Sequence, residues 1–141
     1  MPTKQPADIY WDASAVLSLL IADVHTPRAR AALSPRHAHY LSTLAIAEVV
    51  AVLAREGSAE ARLRRQMFWR DVTEGFWYQY HIAPPVSCLA ELSDRHRLRG
   101  ADLWHLASAL TLRDELPGLR LLTFDLQLAR AAAREDILFR E

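Results

Sequence analysis

The sequence predicts an α/β fold, with a central parallel sheet of about five short strands flanked by helices, on three observations. Short extended apolar runs at Ile9-Tyr10-Trp11, Tyr40-Leu41 and Leu121-Leu122 alternate with longer segments of helical periodicity. Helix-opening residues, Asp12 and Asp125, follow directly on two extended runs, which is the strand-to-helix step of a βαβ unit. The 141 residues, half of them hydrophobic, are enough for one sizeable core and give no reason for a second, so residues 1–141 are expected to form a single domain.

The elements follow in order. A strand over about 8–11 leads into a helix over AVLSLLIA, and Pro27 to Leu33 suits a second, short helix. A weak strand at Tyr40-Leu41 runs into Ser42 or Thr43, either an N-cap for a helix that reaches Arg55 and is stopped by Gly57. Residues 59–74 read as an amphipathic helix, with Leu63, Met67 and Val72 on the apolar face and Arg62, Arg64, Arg65 and Arg70 on the polar one. Phe76 to Ile82 reads as a strand, and Pro84-Pro85 turns into a helix from Val86 to about Leu98. Gly100 separates it from a helix over 101–115, and Pro117-Gly118 turns the chain into a strand from Arg120 to Phe124. Asp125 caps a last helix, and Ile137-Leu138-Phe139 suits a final strand.

Composition narrows the chemistry. A single cysteine, Cys88, excludes a disulfide framework and a thiolate metal site, and fits a small buried hydrophobe. MPTKQPADIY carries no apolar leader-like run, and no stretch of about 18 apolar residues follows, so a cytoplasmic protein without a membrane span is expected. Sixteen of the 17 cations are arginine, Lys4 being the exception, yet the formal net charge is zero. A polyanion would therefore be held by local arginine clusters or through a bound cation, not by the surface as a whole.

Four carboxylates lie in apolar context: Asp12 after Ile9-Tyr10-Trp11, Glu48 within LSTLAIAEVVAVLA, Asp102 at the head of ADLWHLASAL, and Asp125 after Leu121-Leu122-Thr123-Phe124. An isolated ionised carboxylate in a core costs several kcal/mol (~3–5) unless it is paired or binds a cation. Asp12 and Asp125 would both emerge at the carboxyl edge of a parallel sheet, where α/β folds place their ligand crevices. Taken singly, Asp12 as a turn residue, Asp102 as a first-turn acid and Asp125 as an N-cap all have ordinary structural explanations. Glu48 has none, because Leu44, Ala45, Ala51 and Val52, three and four positions away, are all apolar.

IYWDASAVLSLL, AIAEVVAVL, LRGADLWHLASAL and LLTFDLQLARAA, in this order and spacing, resemble the four-acid pattern of the PIN-domain nucleases, in particular the VapC-type toxins of type II toxin-antitoxin modules. The resemblance runs from residue 9 to about 139. It implies an acidic site of Asp12, Glu48, Asp102 and Asp125, with Ser14 and Thr123 as polar accompaniment. It also implies an endoribonuclease dependent on Mg2+ or Mn2+, usually a homodimer, inhibited by a small DNA-binding antitoxin of the VapB kind whose tail occupies the site.

The residue types agree with that chemistry. Oxygen donors without paired histidines or cysteines favour Mg2+ or Mn2+ over structural zinc. Asp12 and Asp102 are expected as direct ligands, Asp125 as a direct or water-mediated ligand, and Glu48 as a ligand or a water-orienting base. Ser14 and Thr123 are placed to hydrogen-bond a carboxylate. His105, three residues beyond Asp102, is expected to be a packed, hydrogen-bonded histidine and not a ligand. Arg95, Arg97 and Arg99, beside His96, divide evenly between an RNA-phosphate grip and the solvated end of a helix. The aromatic run Phe68, Trp69, Phe76, Trp77, Tyr78 and Tyr80 suits core or partner packing better than base stacking.

A housekeeping RNA-processing PIN nuclease and a noncatalytic binding domain are the neighbouring alternatives. An aspartyl-phosphate phosphatase or receiver-like domain ranks lower, because both usually place a late lysine to hold phosphate, and here Lys4 precedes the first strand.

Overall fold

In the computed structural model, which describes residues 5–140, four parallel strands form one sheet in the order β3-β2-β1-β4. The strands are β1 (Asp8–Trp11), β2 (Ala38–Ser42), β3 (Tyr78–Tyr80) and β4 (Arg120–Leu122). Helices α1 (Ala13–Leu20), α2 (Thr26–Ala32), α3 (Thr43–Glu56) and α4 (Ala59–Thr73) precede β3 in the chain. Helices α5 (Val86–Arg95), α6 (Gly100–Glu115) and α7 (Leu126–Arg134) follow it. Among the described residues no helix is long and apolar enough to cross a membrane.

The strands alternate their side chains between two cores, one on each face of the sheet. Ile9 and Trp11 join Leu41 and Leu122 in packing against α1 to α4, whereas Tyr10 and Leu121 pack with Leu92 of α5, Leu106 and Leu112 of α6, and Leu128 of α7. The chain moves from β1 outward through β2 to β3, then returns to place β4 on the other side of β1, with Trp11 opposite Leu122. The gap between the carboxyl ends of β1 and β4 is therefore the topological switch point, where the connections leave to opposite faces and a crevice opens.

Several boundaries differ from expectation for local reasons. The sheet has four strands, not about five, because Ile137-Leu138-Phe139 contributes a single bridge, Leu138 to Leu121. Before it, Asp136 takes a left-handed backbone (φ 55°) and turns the chain out of α7. The strand expected over 76–82 contracts to Tyr78–Tyr80, the length that Tyr40 to Ser42 of β2 can pair. Helix α5 ends at Arg95 and not near Leu98, since His96 is already extended. On α4 the buried face is Ala61, Phe68 and Val72, with Leu63 turned to solvent. The aromatic run divides, with Phe68, Trp77 and Tyr80 buried and Trp69, Phe76 and Tyr78 exposed.

Helix α3 positions Glu48 and is fixed at both ends. Ser42 caps it, accepting the Ala45 N–H at 3.0 Å, and Gly57 closes it in the left-handed region (φ 69°) with its N–H on the Leu53 carbonyl. A Cβ added at Gly57 would come no nearer than 3.9 Å to the Arg55 carbonyl oxygen, so any penalty is conformational rather than steric. Gly57→Ala should therefore lower stability by about 1 kcal/mol, read as the shift in urea midpoint, without loss of folding. An unchanged midpoint would show that the helix end relaxes freely.

Candidate active site

Asp12 stands at the switch point because β1 ends at Trp11 and α1 begins at Ala13. Its N–H donates to the Leu122 carbonyl (3.2 Å), which ties the turn to the end of β4. The side chain is buried, and both oxygens are held. Oδ1 accepts from Ser14 Oγ (2.7 Å) and the Ala15 N–H (2.9 Å), while Oδ2 accepts from Thr123 Oγ1 (2.5 Å). The same two hydroxyls also accept backbone donors: Ser14 Oγ from the Phe124 N–H across the β1/β4 seam (3.0 Å), and Thr123 Oγ1 from the Asp125 N–H within its own turn (3.1 Å). The two turns are thus one hydrogen-bonded unit. Burial pushes the Asp12 carboxyl above its ordinary range, and the donors from Thr123, Ala15 and Ser14 only partly offset that.

Asp125 caps α7, with Oδ1 accepting the Leu128 N–H at 2.8 Å, and its Oδ2 lies 3.9 Å from Arg99 Nη2. That contact is weak, since the Arg99 side chain is largely exposed. Asp102 occupies the first turn of α6 and makes no side-chain hydrogen bond among the described residues. Its carboxyl is raised, first by desolvation and then by the charge of Asp125 and, more weakly, Glu48, against opposing Arg99 and His105. Burial therefore outweighs the mutual repulsion of the acids.

Glu48 arrives from α3 on one face of the sheet and meets α6 from the other. Its Oε1 is 2.7 Å from His105 Nε2, and His105 Nδ1 is 2.8 Å from the Tyr10 hydroxyl. Tyr10 and His105 are both fully enclosed, so a buried chain of hydrogen bonds runs from β1 through α6 to the carboxylate. Burial raises the Tyr10 phenol well above its usual range, which keeps its proton in place. His105 is packed and hydrogen-bonded, and it is also wired to one of the four acids. No sequence spacing announces this link, because Glu48 and His105 are 57 residues apart and meet only across the sheet.

Asp12, Ser14, Glu48, Asp102 and Asp125 line one open cavity of about 280 Å³, with Arg99 at its rim and His105 in its wall. Thr123 lies beneath, bonded to Asp12. Among the described residues no three His, Cys, Asp or Glu side chains are gathered as ligands of one ion. The donor set nevertheless fits a hard divalent cation: it is all oxygen, Glu48 Oε2 and both Asp102 oxygens have no protein donor among the described residues, and burial, with a smaller contribution from Asp125, already raises Asp102. Of the three arginines singled out in the sequence, Arg95 is committed to a bidentate contact with Glu135 at 3.1 and 3.2 Å, whereas Arg97 and Arg99 are exposed.

A parallel sheet with acids in the turns after β1 and β4 and on α3 and α6, all lining one cavity, defines a class. The chain belongs to the PIN-domain family, whose sequence model matches residues 9–134. Within that family it is of VapC type. It is 35% identical over 136 residues to Ribonuclease VapC45 of Mycobacterium tuberculosis (strain CDC 1551 / Oshkosh) and to Ribonuclease VapC49 of Mycobacterium tuberculosis (strain ATCC 25618 / H37Rv), in each case over 88% of this chain and 88% of the relative. The crystal structure of FitAcB from Neisseria gonorrhoeae has the same fold, with a TM-score of 0.58 at 16% identity over 92% of this chain and 94% of that one.

Proposed function

We propose that this protein is a Mg2+- or Mn2+-dependent endoribonuclease, acting in the cytoplasm as the toxin of a type II pair and restrained by a VapB-like antitoxin. The observation that carries the proposal is the single cavity shared by Asp12, Glu48, Asp102 and Asp125, in a chain similar to two proteins named as ribonucleases. A homodimer is the assembly the family resemblance implies. The exposed apolar side chains of Trp69, Phe76, Tyr78 and Ile82 supply material for a partner surface.

In this reading Asp12, Asp102 and Asp125 hold the cation, with Glu48 as a further ligand or as the group that orients the attacking water. When bound, a divalent cation neutralises the phosphodiester and lowers the pKa of a water for in-line attack on phosphorus. The chain's own part is to hold the acids still. Ser14 and Thr123 fix both Asp12 oxygens, and His105 fixes Glu48 Oε1, which leaves Oε2 turned to the task of accepting a water proton. Arg97 and Arg99 offer guanidinium groups to phosphates that flank the cut.

The decisive test is incubation of purified protein with a broad panel of structured RNAs in Mg2+ or Mn2+, with and without EDTA. Metal-dependent cleavage is expected, and intact RNA across the panel would overturn the proposal. Growth arrest on expression, relieved by Asp12→Ala, separates a toxin from an RNA-processing nuclease. Thr123→Val should keep the fold and lower the cleavage rate about 10–100-fold, because it removes the donor that orients Asp12 Oδ2. An unchanged rate would show that Asp12 needs no such support.

A further inference from the structure

A second cavity, of about 400 Å³, lies between the end of α5 and the outer face of α7, lined by Arg95, His96, Arg97, Gln127, Arg130 and Arg134. Its lining is mainly polar, with Leu98 and Ala131 as the only apolar residues. Of the four arginines that line it, Arg95 pairs with Glu135, whose carboxylate accepts two hydrogen bonds from that guanidinium and lies 2.7 Å from His96 Nε2. Desolvation opposes ionisation of Glu135, but the contacts from His96 and Arg95 prevail and hold it below its ordinary range. That acid is spent on bracing the wall. Arg97, Arg130 and Arg134 make no ion pair among the described residues.

Two further features mark a built site. His96 is only 7% exposed, and its second nitrogen, Nδ1, is buried with no hydrogen-bond partner. The Arg113 guanidinium fixes the chain just beyond α7, donating to the carbonyls of Glu135 and Asp136, so the residue that holds Arg95 and His96 is itself anchored. Gln127, Arg130 and Arg134 stand at i, i+3 and i+7, one face of α7, the opposite face being buried through Leu128, Ala131 and Ala132. Asp125 caps this same helix, so Arg130 and Arg134 stand about 7.5 and ~14 Å along the axis from the acidic cleft, at 1.5 Å per residue.

We infer that this groove is a phosphodiester-binding subsite, in which Arg97, Arg130 and Arg134 grip the RNA strand beside the position to be cut. The inference rests on the nuclease reading for the identity of its strand, though not for the anion chemistry of the groove. Arg99 lines the acidic cleft and Arg97, two residues before it, lines the groove, so the two cavities adjoin through one short segment, and guanidinium forks match phosphate oxygens two at a time. An acidic peptide would meet the same charges but would find no apolar pocket to anchor its side chains.

The test is binding of a fluorescently labelled 12-nucleotide single-stranded RNA, measured by anisotropy over a range of NaCl concentrations in EDTA. Arg130→Gln/Arg134→Gln should weaken binding at least about tenfold and reduce the salt slope by about 1.4, or ~0.7 for each lost phosphate contact. Arg97→Gln should act in the same direction. Arg62→Gln/Arg65→Gln, on α4, should change neither quantity. Unchanged affinity in the first two variants, or an equal loss in the α4 pair, would overturn the subsite, as would a labelled hexaglutamate peptide whose binding is lost in the arginine variants while RNA binding stays intact. If the wild type cleaves RNA with a KM indifferent to Arg130 and Arg134, the subsite falls and the nuclease stands. If oligonucleotide binding follows these arginines but no RNA is cut, the reverse holds.

Discussion

Asp12→Asn should abolish most RNA cleavage, by at least about 10²-fold, while leaving the metal-free protein more stable than the wild type by about 1 kcal/mol. The two effects have one origin. Asp12 is buried between two turns, and burial raises its carboxyl above the ordinary range despite three donors. Asparagine keeps an oxygen to cap α1 at the Ala15 N–H and to accept from Ser14, and it removes the charge. The sign of the pH dependence follows from the raised value. The native state takes up this proton at a higher pH than the unfolded chain does, so wild-type stability falls as pH rises through the acid range up to the raised value, then levels. The advantage of Asp12→Asn should therefore be smallest in acid and fully developed at neutral pH. Urea denaturation across that range measures it, and a variant less stable than wild type at neutral pH would refute the charge-burial account. Added Mn2+ should stabilise the wild type and leave the variant unmoved.

His105→Leu should cost about 2 kcal/mol of stability and, beyond that, about 10–100-fold in cleavage under conditions where the variant is fully folded. The substitution fills much of the same space but breaks both ends of the buried chain, at the Tyr10 hydroxyl and at Glu48 Oε1. Tyr10→Phe is the discriminating companion, because it cuts only the far end. It should cost about 1 kcal/mol and leave cleavage within a few-fold of wild type. Equal loss of activity in the two variants would mean that His105 matters for packing alone. Partial recovery of rate in His105→Gln, whose amide can still donate to Glu48, is the expected signature of positioning.

Much of this architecture was legible because local and tertiary forces agree. Ser42 and Gly57 bracket α3 in the sequence as they do in the structure, and Asp12 and Asp125 mark both strand-to-helix turns. Where tertiary contacts decide, the sequence is silent. Nothing in Arg95-His96-Arg97 tells a helix to stop, since the stop is accompanied by Glu135, 40 residues downstream, reaching back to Arg95 and His96. Phe76 and Trp77 have strand-forming side chains, yet β2 offers them no partner, and Gly75 (φ 83°) turns the chain just before them. The four acids could be placed at one sheet edge from their position after strands and on covering helices. The chain from Tyr10 through His105 to Glu48 could not, because it joins opposite faces of the sheet.

The seating of β4 beside β1 also sets when the cavity comes into being. Thr123 reaches Asp12 across 111 residues, so the contact that secures the buried acid is among the most distant pairings in the molecule. As the chain emerges from the ribosome, β1, β2 and the first helices are available long before residues 120–125. Until those residues arrive, Asp12 lacks both the Thr123 hydroxyl and the Leu122 carbonyl, and Asp125 is absent altogether. A chain ending before β4 thus lacks the support of Asp12 and the whole of Asp125: about the last sixth of the sequence, from Arg120 on, completes the acidic edge.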